Sequence, residues 1–75
     1  MGNYEEFKDK RIKIYRGDLP IAEGVLTYTQ KHLFDPPQYS FHLKDARDLL
    51  EENPERKSRL SCRIPEGEIR IEEII

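Results

Sequence analysis

The sequence predicts a mainly β fold, a small five-stranded antiparallel barrel of the SH3/Sm-like type. Three observations predict it. Arg11–Tyr15, Tyr39–Leu43, Arg59–Ile64 and Glu68–Glu73 alternate apolar and polar side chains with the two-residue period of a half-buried strand. A fifth stretch, about Ile21–Gln30, is rich in the β-formers Ile21, Val25, Thr27, Tyr28 and Thr29. Turn residues separate them: Gly17-Asp18-Leu19-Pro20, Asp35-Pro36-Pro37 and Pro65-Glu66-Gly67. With 75 residues, 37% charged and 36% hydrophobic, the chain holds one thin core and a single domain over 1–75.

The elements follow in order. Asn3 stands where an N-cap would, with Glu6 three residues on, so the chain opens with a short helix over about Tyr4 to Asp9. Such a helix is too short to stand alone and must dock. In the first strand Ile12 and Ile14 point one way and Arg11 and Lys13 the other. Gly24 interrupts the second strand, and a glycine inside a strand marks a bulge or sharp bend, the device that curls a small sheet. Asp35-Pro36-Pro37 denies two backbone donors and reads as a loop. Tyr39, Phe41 and Leu43 point inward from the third strand, which places His42 outward. The segment 45–53 has two readings. Asp45 as N-cap, a stripe of Ala46, Leu49 and Leu50, and Pro54 as terminator give a short helix; continuation of the third strand into a charged loop is the rival. Leu60, Cys62 and Ile64 face inward from the fourth strand, Ile69 and Ile71 from the fifth.

Charge is unevenly placed. The net charge is −2, which weighs mildly against a nucleic-acid binder. Yet Lys8, Lys10, Arg11, Lys13 and Arg16 meet only Asp9, and Arg56, Lys57, Arg59 and Arg63 meet no acid. Glu66, Glu68, Glu72 and Glu73 meet only Arg70. These runs are solvated faces, or a basic patch if the two clusters meet, or complementary edges that attract between copies. Tyr15 beside Lys13 and Arg16 is the local pattern for stacking on a base; Tyr28 follows Gly24 at even spacing. The candidate binding surface is therefore Lys13, Tyr15, Arg16, Arg56, Lys57, Arg59 and Arg63.

Catalytic chemistry is thin. Gly2, Gly17, Gly24 and Gly67 are too scattered for a phosphate-binding loop. His32 and His42, with Asp35 between, form only a weak metal pattern, and no metal or other cofactor is expected. Cys62, the single cysteine, falls in the core phase, where a thiol behaves as a small hydrophobe. No apolar run approaches a membrane span, and no signal peptide opens the chain, so a cytoplasmic protein is expected.

Ile12-Lys13-Ile14 and Gly24-Val25-Leu26 resemble the first two strands of the Sm/LSm family of small barrels. Phe41-His42-Leu43-Lys44-Asp45-Ala46 resembles its third strand, and Gly67 to Ile74 its closing one, so the likeness covers most of the chain. The resemblance implies the fold and a tendency to oligomerise by edge pairing. It carries over no RNA site. The family's Asp-x-(Met/Phe)-Asn motif is replaced by Thr29-Gln30-Lys31-His32-Leu33-Phe34-Asp35-Pro36-Pro37, and Arg70 is followed by Ile71 where the family has glycine. The expected function is that of a non-enzymatic binding or regulatory protein acting through protein contacts. The alternative is a divergent Sm-like binder of RNA or single-stranded nucleic acid, and homo-oligomers are expected under both.

Overall fold

The structure, a computed structural model, describes residues 4–75. Five strands form one antiparallel sheet: β1 (Arg11–Arg16), β2 (Leu19–His32), β3 (Gln38–Asp48), β4 (Lys57–Pro65) and β5 (Ile69–Glu73). Their order across the sheet is β4-β3-β2-β1-β5. The mainly β expectation holds. The sheet is open rather than closed into a barrel, because no ladder joins β4 to β5.

The alternating isoleucines do what their period requires. Ile12 and Ile14 of β1, Leu26 of β2, Phe41 and Leu43 of β3 and Ile64 of β4 are all fully buried. Each such side chain contributes about 1.5–3 kcal/mol relative to exposure. Tyr4 covers one end of this core, with its ring edge-on to Tyr39 and Phe41 at 5.2 Å from each. Leu60, Cys62, Ile69 and Ile71 pack against the core but stay partly exposed. They stand on β4 and β5, the two strands with an unpaired edge.

Two expectations need correction. The N-terminal helix is only a 3-10 turn, Glu5–Phe7, and no side chain caps it; the Asn3 cap lies outside the described residues. No helix forms over 45–53, and the continued strand is the arrangement found. Asp45 is not an N-cap. It adopts φ +48°, a left-handed conformation that Asp tolerates better than most residues. Between the pairs Val25↔Lys44 and Glu23↔Arg47, β3 has two residues, Asp45 and Ala46, where β2 has one, Gly24. This bulge sets Ala46 against Gly24, and a Cβ at Gly24 would lie 2.7 Å from the Ala46 Cβ. The chain then turns through Asp48, whose Oδ1 accepts from the Leu50 amide at 3.0 Å.

A second bulge matters more for the site. Leu26 pairs with Leu43 but Tyr28 pairs with His42, so Thr27 is the extra residue of β2. Its hydroxyl donates to the His42 carbonyl at 2.8 Å. The alternation changes phase there. Tyr28, which unbroken spacing would put beside Leu26, turns to the outer face.

Candidate functional site

The expected basic surface divides into two parts that β2 and β3 hold apart. At about 4.8 Å per strand the separation is about 14 Å. The first part is neutralised within the chain, because β5 returns alongside β1. Lys13 lies between Glu23 and Glu72 in the ladders. The Tyr15 hydroxyl donates to Glu72 Oε1 at 3.2 Å, and the Arg70 guanidinium covers the Tyr15 ring at 3.9 Å from its centre. Arg16 Nε donates to Glu68 Oε1 at 2.9 Å, and Lys10 Nζ stands 3.7 Å from Glu73. The acidic C-terminal run thus matches the basic run of β1 in the same molecule. Tyr15 is no open stacking platform.

The second part is different. Arg56 is exposed just before β4, and Lys57 Nζ pairs with Glu51 Oε2 at 3.2 Å. Arg59 faces Lys44 across the β3–β4 ladder. Arg63 faces Ser40, and its guanidinium lies 5.6 Å from the centre of the Phe34 ring. Among the described residues Lys44, Arg59 and Arg63 make no ion pair. Like charges directly opposed on a sheet repel, so the Lys44–Arg59 juxtaposition is unfavourable in the free protein.

The pairings build an outer face of successive rows across β2, β3 and β4: Val25-Lys44-Arg59, Tyr28-His42-Ser61, Gln30-Ser40-Arg63 and His32-Gln38-Pro65. No carboxylate stands in these rows. The Tyr28 ring stacks on His42 with centres 4.1 Å apart and 15° between planes, and remains 55% exposed. Ser61 Oγ and His42 Nδ1 share a hydrogen bond of 2.8 Å, which fixes the imidazole. His42 Nε2 is buried and unpartnered among the described residues. A groove of about 500 Å³ runs past Thr27, Tyr28, His42, Lys44, Arg59 and Ser61. Farther along, Phe34, 52% exposed, stacks on His32 at 5.6 Å, and His32 Nε2 meets Ser40 Oγ at 2.7 Å.

Lys44, Tyr28, His42 and Phe34 were not among the expected site residues. The outward phase of His42 and Lys44 beside Phe41 and Leu43 was a usable signal; the Thr27 bulge that turns Tyr28 outward had none. Cys62 points toward the core and is partly buried. Burial first, then the Asp48 carboxylate, pushes its thiol up to about 11, against a smaller lowering by a backbone hydrogen bond from Phe41. At neutral pH it stays protonated, and the thiol form is a poor nucleophile. No helix among the described residues is long and apolar enough to cross a membrane. Searches of family models, of curated proteins and of solved structures find no match to this chain.

Proposed function

We propose that the chain is a non-enzymatic binding protein that acts through protein contacts made at its open strand edges. The carrying observation is that β4 and β5 are each paired on one side only. Leu60, Cys62, Ile69 and Ile71 beside those edges are only partly buried. An unpaired edge over an incomplete core accepts an added strand, whose main chain supplies affinity and whose alternate side chains supply selectivity. Lys57, Arg59 and Arg63 project from β4, so the strand it receives is acidic and extended. On this reading the architecture is an SH3/Sm-like small barrel left open along one seam. A second copy offers such a strand in its own β5, Ile69–Glu73, which makes homo-oligomers part of the proposal.

The test is a titration of isotope-labelled protein with a peptide spanning residues 66–75. The expected result is amide shifts concentrated in Lys57–Pro65. Unchanged spectra at millimolar peptide, together with a strictly monomeric 9.0 kDa mass by light scattering at high concentration, would end the proposal.

A further inference from the structure

From the outer face of β2, β3 and β4 we infer a second, separate activity: it binds a single strand of nucleic acid. The argument starts with charge. Lys44 and Arg59 face one another without an acid, and Arg63 stands four residues farther along β4, also without one. Four strand residues span about 13 Å. One phosphate cannot reach both positions, whereas a backbone with repeating phosphates reaches both. A phosphate between Lys44 and Arg59 would convert their repulsion into two attractive contacts.

The aromatic rings add the second part. Tyr28 and Phe34 are both about half exposed, and each is backed on one side by a histidine ring. Backing fixes each ring and leaves about half of its surface exposed, where an unpaired base can stack. Tyr28 shares its groove with Lys44 and Arg59, and Phe34 has Arg63 over it. Aromatic and cation therefore occur twice along one face. An acidic peptide would use the cations but leave both rings unused. A duplex hides its base faces inside its own stack. The net charge of −2 is no obstacle, because Glu72 and Glu73 lie on β5 at the far side of the sheet and none of the four rows of this face holds a carboxylate.

The test is fluorescence anisotropy with a labelled single-stranded DNA and RNA of about ten nucleotides, in low salt, using the full chain. Tyr28→Ala should weaken binding about 5- to 150-fold, the range of one base stacked on one aromatic ring. Phe34→Ala, in a loop, should do the same with less risk to folding. Arg59→Ala should lower the dependence of log affinity on log salt by about 0.7, the value for one phosphate contact on a single strand. Lys44→Glu should abolish binding while the melting temperature holds or rises, since it places an acid opposite Arg59; a merely structural role for Lys44 predicts the reverse pairing. Lys13→Ala should change affinity less than twofold. Absence of binding to either strand in low salt would overturn the inference. So would competition by polyglutamate as strong as by unlabelled strand, equal binding of duplex, or full affinity in both aromatic variants. Saturation by free mononucleotide at the same concentration as by the strand would overturn the multi-phosphate argument. Of these outcomes only competition by polyglutamate also bears on the β4 edge, where it would favour the acidic strand; the peptide titration tests that edge separately.

Discussion

Gly24→Ala isolates the close approach of β2 to the β3 bulge. The added methyl would sit 2.7 Å from the Ala46 Cβ, 3.1 Å from the Ala46 Cα and 3.1 Å from the Leu43 Cβ. Non-bonded carbons settle at about 3.5–4.0 Å, so β2 and β3 must separate locally by up to about an ångström. None of the three atoms is the end of a flexible side chain. Overpacking of this kind costs about 1–3 kcal/mol. Alanine also restricts the unfolded chain more than glycine does, which returns about 0.4–1 kcal/mol. The net expectation is a loss of about 1–2 kcal/mol. In a domain of this size 1 kcal/mol moves the midpoint by about 4–8 °C, so Tm should fall by about 4–16 °C in a thermal melt followed by circular dichroism. Ala46→Gly removes the nearest of the three atoms. Combined with Gly24→Ala it should cost less than the sum of the single changes, with a coupling of about 1 kcal/mol. A Gly24→Ala protein that melts at or above the parent temperature, or strict additivity in the double variant, would show that the close approach of Gly24 to the β3 bulge is not what limits residue size there.

Three further outcomes are expected. Asp45→Gly should stabilise by about 1 kcal/mol, because glycine adopts φ +48° without the steric penalty, whereas Asp45→Val should destabilise by more than that; urea titration midpoints decide it. Thr27→Val should cost about 0.5–1.5 kcal/mol through loss of the hydrogen bond to the His42 carbonyl, measured the same way. Alkylation of Cys62 in the folded protein should stay slow at pH 8 and rise with a midpoint near 11. The raised thiol has a matching linkage: the folded state holds its proton more tightly than the unfolded state, so this contribution is complete below the ordinary thiol value of 9.0 and declines as pH rises toward 11. Cys62→Ala should flatten that part of the stability profile.

Local periodicity was enough to find the strands, since a period of two is a property of neighbouring residues. Ile12, Ile14, Phe41, Leu43 and Ile64 are buried where alternation puts them. Two kinds of feature escaped. The first is the bulge. Asp45 followed by Ala46, Leu49 and Leu50 imitates a capped helix, yet Ala46 is buried against Gly24, the Leu49 amide bonds to the Ile21 carbonyl at 3.0 Å, and Leu50 is 63% exposed. What decided the segment was pairing with β2, which no local pattern contains. Thr27 is similar: nothing in Leu26-Thr27-Tyr28 signals that two residues will face one ladder position. The second is adjacency between distant strands. That β5 lies beside β1 could not be read from either segment, and this adjacency is what removes Lys13, Tyr15 and Arg16 from the open basic surface.

The sorting of charge that results bears on both proposed partners. Where basic and acidic runs share a ladder, at β1 and β5, Lys10 pairs with Glu73, Arg16 with Glu68, and Lys13 stands opposite Glu72, and exposed pairs of this kind contribute at most about 1 kcal/mol each. Their effect is chiefly to cancel the field on that side. The cations left over stand on β3 and β4, where the only cross-strand neighbour of Lys44 on β4 is another cation. A stability-driven sequence would place an acid at one of these positions, because an opposed pair of unlike charge gains about 0.2–1 kcal/mol where a like pair loses. Retaining lysine opposite arginine, with Tyr28 standing open beside them, is therefore a cost to the free protein that an anionic ligand would offset. Stability and binding should accordingly move in opposite directions at Lys44, and in the same direction at Thr27, whose bulge both holds the sheet and turns Tyr28 outward.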